Sequence, residues 1–307
     1  MSQKTIQTIQ KKRVSHVYES RGEGVFQGTL IFIMVLLSIT FLYPYWHVFV
    51  TSISSVDVAE GSGFKLWPSK LSFDAYHQMF LTKNLWTGYK NTLIVVVMGW
   101  AVSISLNILG AYSLSKKDLP FRGIFTGIII LTMFLQGGMI PTYLLVNNTL
   151  GMHNSYWAVI LPQCVSVSHL VIMRNYFMNL PQELEEASII DGANSFQVLI
   201  RVMLPLSVPM IATISLWVIV SNWNAYFNCL LYITDTSKYV LQIIMRRIIQ
   251  TDSKEMTYAG EAASQLETDT YTLRSASIML ATLPIICVYP FLQKYFVKGV
   301  LVGSLKG

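Results

Sequence analysis

The chain has 307 residues, of which 53% are hydrophobic and 12% charged, and its formal net charge is +6 at pH 7. An ordinary soluble domain carries about 25% charged residues, so this composition argues against a soluble globular protein and is typical of a protein that spans a membrane. The positive net charge is explained by membrane topology and attraction to anionic lipid, and we expect no nucleic-acid partner.

Six apolar stretches are long enough to cross a bilayer. About 20 helical residues, rising about 1.5 Å each, cross a hydrocarbon core of about 30 Å. The stretches lack the alternating pattern of barrel strands, so we predict helices. The first run is longer than a signal-peptide core and no clear small-residue cleavage site follows it, so it is kept as a span. The predicted spans are 25–50, 91–114, 124–146, 156–176, 208–233 and 276–297.

Lysine and arginine in the short connections predict the orientation. Basic residues precede the first span and occupy the second–third connection, whereas 147–155 has none. We therefore predict an all-α membrane protein with six transmembrane helices and both termini in the cytoplasm. It would comprise a cytoplasmic segment 1–24, a transmembrane domain 25–300 and a cytoplasmic tail 301–307. The three cysteines fall within spans and imply no disulfide framework: Cys164, Cys229 and Cys287.

Two further segments outside the spans carry structural expectations. The long external connection after the fifth span predicts a short helix near 241–249, because its apolar residues recur at helical spacing. Arg246 and Arg247 would then lie towards the polar side of that helix. The tail from Lys298 onward is rich in glycine, and we expect it to be too flexible for a stable helix.

The cytoplasmic segment 177–205 predicts a helix–turn–helix elbow, and its first arm begins near Pro181. Glu183, Glu185 and Glu186 lie where a helix N-terminus favours negative charge. Apolar residues recur along one face at three-residue steps: Leu184, Ala187 and Ile190. The first arm therefore carries an apolar stripe beside several carboxylates.

The turn and the second arm of the elbow follow directly. Asp191-Gly192 predicts the end of the first helix, because glycine takes the left-handed conformation without strain. Asn194 or Ser195 would cap a second helix that runs to about Leu204. Pro205 would then break that helix.

This elbow resembles the EAA signature of prokaryotic ABC importer permeases, whose pattern is Glu-Ala-Ala, two residues, Asp-Gly-Ala and a later Leu-Pro. Here it reads Glu186-Ala187-Ser188, Asp191-Gly192-Ala193 and Leu204-Pro205, with Ser188 in place of the second alanine. Four other segments resemble the second permease subunit of carbohydrate importers, the MalG-like group: Arg21-Gly-Glu-Gly-Val-Phe26, Leu66-Trp67-Pro68, Trp223-Asn224 and Phe296-Val-Lys-Gly-Val300.

The resemblance implies a type I ABC importer permease fold in the bacterial cytoplasmic (inner) membrane. It implies a second homologous permease, two identical ATPase subunits, an external sugar-binding protein and a carbohydrate substrate, more specifically an oligosaccharide. ATP and Mg²⁺ would be bound by the ATPases, and this chain would bind no cofactor or metal. By resemblance, the C-terminal tail reaches the ATPase dimer. The implied ATPase-coupling residues are Glu186, Ala187, Ser188, Asp191, Gly192, Ala193, Leu204 and Pro205.

Polar side chains within the predicted spans are candidates for the sugar path. Amides bond hydroxyl groups, and flat rings cover the apolar faces of pyranoses. Asn and Gln also join helices by hydrogen bonds inside bilayers, so both interpretations stay open. Gln136-Gly137-Gly138 with Pro141 additionally predicts a bend in the third span. The candidates are Gln136, Asn222, Trp223, Asn224, Tyr226 and Asn228.

Two other classes of protein are alternatives to the importer permease. An ion-coupled secondary transporter is the main alternative, but no acidic pair lies within the predicted spans. An intramembrane enzyme would need catalytic clusters that the sequence lacks. No phosphate loop, His-Glu-x-x-His or Gly-x-Ser-x-Gly motif occurs, so we expect no enzyme activity, and partner subunits would hydrolyse ATP.

Overall fold

The computed structural model describes residues 21–55, 66–135, 137–250 and 270–304. Within these ranges the chain is helical, and its β-structure is limited to an isolated bridge between Ser54 and Leu71. In chain order the helices are α1 (Arg21–Ser52), α2 (Asp74–Leu81), α3 (Lys83–Ser115), α4 (Arg122–Phe134), α5 (Met139–Leu144), α6 (Tyr156–Ile160), α7 (Val167–Met178), α8 (Gln182–Ile190), α9 (Ser195–Val198), α10 (Leu204–Leu206), α11 (Val208–Trp223), α12 (Tyr226–Tyr232), α13 (Leu241–Gln250) and α14 (Thr270–Ser304).

Three helices of the described ranges are long and apolar enough to cross a membrane by themselves: α1, α3 and the Tyr271–Val288 part of α14. Three further pairs reach that length only across a bend. These are Arg122–Phe134 with Met139–Thr149 at 112°, Tyr156–Gln163 with Val167–Met178 at 53°, and Ser195–Leu206 with Val208–Trp223 at 84°. The described residues therefore hold three spans, or up to six if each bent pair is one span. The all-α membrane architecture is confirmed, and the count of six stays a prediction.

The bends occur at residues whose backbone angles depart from those of a regular helix. The bend between α4 and α5 includes Gly138, whose φ is +82°, as the Gly-Gly pair predicted. Gln136, part of the same prediction, lies outside the described residues. Before α7, the Ser166 hydroxyl accepts a hydrogen bond from the His169 N–H at 3.5 Å, which begins a new helix.

The prediction that Pro205 breaks the second arm of the elbow is wrong. The helical path continues through a π-helical turn, Leu199–Met203, into α10, and the chain bends only at Ser207. Pro205 follows the π-helical turn directly, so the missing proline N–H falls where the regular helical hydrogen-bond pattern is already interrupted.

The centre of the fold is α3, which packs against α7 and α11. Towards one end of α3, Ile108 and Ala111 are buried with Met173 of α7 and Ile214 of α11. Towards the other end, a second buried cluster joins α3 to α11, α13 and α14: Leu85, Val96, Trp223, Leu241 and Leu273. By contrast, α1 packs along α14 and leaves most of its apolar side chains exposed, as a lipid-facing helix does.

Contacts between connections define two faces of the bundle. On one face, the Lys117 ammonium donates to the Gln182 side chain at 3.3 Å, which joins the connection after α3 to α8. On the opposite face, the Asn154 side chain accepts hydrogen bonds from the Thr234 and Asp235 N–H groups at 2.7 and 2.9 Å. The connections predicted to be cytoplasmic thus meet one another, and so do two connections predicted to be external.

The helix predicted near 241–249 is confirmed as α13, but the prediction for the tail is wrong. Helix α14 continues past Lys298 to Ser304. Extending an existing helix adds one hydrogen bond for each residue that is ordered, so a long preceding helix sustains a glycine-containing end. Residues 305–307 lie outside the described residues.

Candidate functional site

The turn of the elbow has the geometry of a Schellman motif, with Gly192 in the left-handed conformation at φ +85°. The Gly192 N–H donates to the Ile189 carbonyl at 2.9 Å, and the Ala193 N–H donates to the Ser188 carbonyl at 3.0 Å. A Cβ added at Gly192 would have no neighbour within 4 Å. The preference for glycine here therefore comes from backbone conformation and not from crowding.

The second arm is capped by Asn194, which answers the choice that the sequence left open between Asn194 and Ser195. The Asn194 side chain accepts from the Gln197 N–H at 2.9 Å, and the Gln197 side chain accepts from the Asn194 N–H at 2.9 Å. This reciprocal capping box fixes the start of α9. Val198, Leu199 and Met203 are then buried in the core beside α3 and α7. The second arm is thus anchored in the bundle.

The first arm, α8, stands out from the bundle and exposes apolar surface. Leu184 is 44% exposed and Ile190 is 86% exposed, and Ile189 adds an exposed side chain that the three-residue pattern did not include. The Glu186 carboxylate is exposed and makes no hydrogen bond or ion pair within the described residues. The result is an apolar surface with a free carboxylate at its edge.

The motif residues divide between two roles in the structure. Ala193 and Leu204 are partly buried and pack against the core that holds the second arm. Ala187, Asp191 and Pro205 are exposed. The motif therefore combines an outward contact surface with the residues that fix its orientation.

An ion pair that the sequence did not predict, between Lys116 and Glu185, also holds the elbow. The Lys116 ammonium forms an ion pair with the Glu185 carboxylate and lies 4.1 Å from the centre of the Tyr112 ring. The Tyr112 hydroxyl donates to the Ser195 carbonyl at 3.2 Å. Burial lowers the pKa of Lys116, and the nearby Asp118 carboxylate partly opposes this. Lys116 was recognised from the sequence only as an orientation signal, because its partner lies 69 positions away.

A second polar region lies where the predicted fifth span is interrupted. The continuous helix expected over 208–233 is wrong: α11 ends at Trp223 and α12 begins at Tyr226. Between them Ala225 has φ −70° and ψ 57°, and the Tyr226 N–H donates to the Asn224 carbonyl at 2.6 Å, as in an inverse γ-turn. Irregular backbone at membrane depth is tolerated only where it is covered by protein or lines a cavity.

Two of the candidate sugar-path residues pack between helices in this structure. Asn222 is 6% exposed, donates to the Val218 carbonyl at 2.9 Å, and lies against Gly99 of α3. The Trp223 indole donates to the Ala281 carbonyl at 3.1 Å. These contacts match the packing alternative considered from the sequence, and a contact with sugar stays a prediction for both residues.

The remaining candidates lie at or beyond the interruption. Asn224 is exposed, and its side-chain oxygen accepts from Gln242 of α13 at 3.5 Å. Tyr226 is half-buried, with the Arg246 guanidinium carbon 4.6 Å from its ring centre. Asn228 donates to the Val159 carbonyl at 3.5 Å, and Gln136 lies outside the described residues. The structure thus brings Asn224 and Tyr226 together with α13, whose polar side chains were not among the candidates.

Comparison with known proteins gives concordant matches over most of the chain. Residues 24–302 match the family described as "Binding-protein-dependent transport system inner membrane component". The chain is 39% identical over 274 residues to the polygalacturonan/rhamnogalacturonan transport system permease protein YtcP of Bacillus subtilis, which covers 89% of this chain and 96% of the relative. It is 37% identical over 278 residues to protein LplC of the same organism, covering 91% of this chain and 93% of the relative.

A solved structure agrees with the fold. The chain resembles, with a TM-score of 0.85 and 32% identity, a chain of a bacterial ABC transporter involved in the import of the acidic polysaccharide alginate. The match covers 92% of this chain and 100% of the other. The protein therefore belongs to the family of inner-membrane components of binding-protein-dependent transport systems and has the fold of an ABC importer permease.

Proposed function

We propose that this chain is one of two permease subunits of an ATP-driven importer that takes oligosaccharides from an external binding protein across the inner membrane. The family supports a transport role that depends on a binding protein. The names of the relatives, which concern pectic polymers and alginate, support a carbohydrate substrate. The ion-coupled carrier considered from the sequence has no support from these matches.

The observation that carries this proposal is the form of the elbow. Helix α8 is exposed on the face predicted to be cytoplasmic, and the glycine turn and the ion pair to Lys116 hold it at a defined angle. A partner ATPase subunit docks on the surface formed by Leu184, Glu186 and Ile190. Movement of α8 when the ATPase closes around ATP is passed through the buried second arm to α3, α7 and α11.

Partner chains carry out the remaining tasks of the importer. A second homologous permease completes the path, and two identical ATPase subunits bind ATP and Mg²⁺. The absence of a phosphate-loop motif from the sequence supports that division of labour. In the complex, the Glu186 carboxylate pairs with a basic side chain of the ATPase cleft.

Docking is tested by reversing the charge of Glu186 in a tagged permease that is co-expressed with its partner subunits. Truncating one partner of a buried charge pair costs about 2–5 kcal/mol, so Glu186→Lys should weaken ATPase recruitment by tens- to thousands-fold. Asp74→Lys reverses an exposed carboxylate at the start of α2, away from α8 and from Lys116, and it should leave recruitment near wild type. The measurements are co-purification of the ATPase and oligosaccharide uptake into proteoliposomes. Normal recruitment and uptake with Glu186→Lys would contradict the docking role.

A further inference from the structure

We propose that Arg246, together with Asn224, Tyr226 and Gln242, forms a binding site for the carboxylate of an acidic oligosaccharide at the interruption of the fifth predicted span. This inference rests on the proposed function. Beyond that function, it states that the substrate is acidic and that Arg246 recognises its carboxylate. The site is built from α13 and from the turn between α11 and α12.

Helix α13 is held firmly enough to position a charged side chain. The Leu241 N–H donates to the Thr92 hydroxyl of α3 at 2.8 Å. Gly88 permits close approach of the two helices, since a Cβ there would lie 2.5 Å from the Ile244 Cδ1. Buried apolar side chains cover the packed face: Leu241, Ile243, Ile244 and Met245.

The opposite face of α13 carries a polar stripe at four-residue steps, formed by Gln242, Arg246 and Gln250. Gln242 reaches the side-chain oxygen of Asn224 at 3.5 Å, and the Arg246 guanidinium carbon lies 4.6 Å from the centre of the Tyr226 ring. The stripe therefore faces the interruption between α11 and α12.

Arg246 is a half-buried cation with no carboxylate partner in the described part of the chain. Its Nε donates to the Gln250 side-chain oxygen at 3.0 Å, which leaves the terminal nitrogens for another acceptor. A partly desolvated guanidinium is costly unless an anion accompanies it. Its planar pair of terminal donors matches a carboxylate, which accepts two parallel hydrogen bonds.

The neighbouring groups suit the hydroxyl groups of a sugar. The Tyr226 hydroxyl is buried and has no hydrogen-bond partner within the described residues. The bond between Gln242 and Asn224 is long at 3.5 Å, so a better-placed hydroxyl would displace it. A cation beside amides and a phenol fits a uronate residue, which carries one carboxylate and several hydroxyls.

Arg247 provides a matched control on the same helix. Its guanidinium also stacks on a tyrosine, with the carbon 4.5 Å from the Tyr239 ring centre, and its Nη2 donates to the Tyr239 hydroxyl at 3.0 Å. Arg247 is more exposed than Arg246 and lies off the polar stripe that reaches Asn224. Removing the Arg247 charge changes the net charge of α13 by the same amount as removing the Arg246 charge, and it leaves the proposed site unchanged.

The test compares trigalacturonate with its carboxyl-reduced counterpart in the reconstituted complex. Because the binding protein selects the sugar first, each variant is assayed with saturating, sugar-loaded binding protein whose affinity for both probes is measured separately. A hydrogen bond to a charged group is worth about 1.5–3 kcal/mol, so Arg246→Gln should slow trigalacturonate uptake by about tenfold or more.

Uptake of the reduced probe by the Arg246→Gln complex should change less than about twofold, and Arg247→Gln should leave the uptake rates of both probes near wild type. A second measurement is equilibrium binding of trigalacturonate to the complex purified without binding protein, which should weaken only with Arg246→Gln.

Other results would contradict the carboxylate site or the proposed function. Equal loss of both probes with Arg246→Gln, or loss of complex assembly, would show that Arg246 pairs with protein and would overturn the carboxylate site. Unchanged uptake and binding of trigalacturonate would overturn it as well. If the wild-type complex moves neither probe nor any other oligosaccharide, the proposed function fails first, and the site assignment falls with it.

Discussion

Lys116, directly after the last residue of α3, forms an ion pair with Glu185 on the exposed helix α8. The pair links the central helix of the bundle to the arm on which a partner would dock. Both side chains are about one-fifth exposed, 21% for Lys116 and 23% for Glu185, so water screens their attraction only partly. We infer that this contact sets the angle of α8 relative to α3.

A double-mutant cycle on Lys116 and Glu185 tests this link. Lys116→Gln and Glu185→Gln should each lower coupled ATPase activity, and the double variant should lose little more than either single one. We expect a coupling energy of about 1 kcal/mol, because the pair is not fully exposed. Lys117→Gln is the matched control, since Lys117 makes only a 3.3 Å bond to Gln182. Strictly additive losses would show that the ion pair does not position α8.

The left-handed glycine turn predicts a conformational effect at Gly192. Gly192→Val should add roughly 1–2 kcal/mol of backbone strain and redirect α8, which lowers ATPase recruitment and sugar uptake. Gly192→Asn should retain more activity than Gly192→Val, because asparagine tolerates this conformation.

Gly151 provides a matched control. Its backbone is also left-handed, at φ +60°, and an added Cβ would have no neighbour within 4 Å. Gly151→Val on the external face should therefore cost similar stability without loss of recruitment; equal loss of recruitment in both valine variants would argue against a joint at Gly192.

The close contact between Gly99 and Asn222 predicts a compensating pair. A Cβ at position 99 would lie 2.6 Å from the Asn222 Oδ1, so Gly99→Ala should lower stability by about 1–3 kcal/mol. Combining Gly99→Ala with Asn222→Ala should recover most of that loss, as measured by thermal unfolding of the purified complex. Failure of the double variant to recover would contradict the contact.

Measurements of oligosaccharide uptake distinguish a packing role of Asn222 from a contact with sugar. If Asn222 serves packing alone, Asn222→Ala should transport oligosaccharide near the wild-type rate, whereas Asn224→Ala and Tyr226→Ala should transport more slowly at normal assembly. Loss of uptake by a stable Asn222→Ala complex would assign Asn222 to the sugar path. Unchanged uptake in all three alanine variants would remove this region from the path.

The C-terminal end of α14 is expected to contribute to coupling with the ATPases. Deletion of residues 302–307 removes the last helical residues and should lower sugar-stimulated ATPase activity while leaving complex assembly intact. Deletion of 305–307 alone keeps the helix that extends to Ser304 and is the matched control. Wild-type stimulation in the longer deletion would rule out this role.

Local sequence patterns were sufficient to predict the elbow. Gly192 lies in the left-handed conformation and Asn194 caps the next helix, because both features depend on the conformation of a few consecutive residues. The external helix α13 was also foreseen, since its apolar residues recur within a single short segment. Long-range partners were not foreseen. Lys116 and Glu185 carry no mutual signal in the sequence, and neither do Arg246 and Tyr226.

By itself, the sequence determined the membrane class and the elbow with its motif, and it predicted the orientation of the short connections. These follow from apolar length, charge distribution and short-range backbone preferences, which act along the chain. Only the tertiary structure decided that Asn222 packs on Gly99, that the helix breaks after Trp223, and that α14 runs on to Ser304. It also brought Arg246 to the Tyr226 ring. The physical reason is that a polar side chain inside a membrane serves packing or binding according to what other helices place beside it, and hydropathy along one chain does not contain that arrangement.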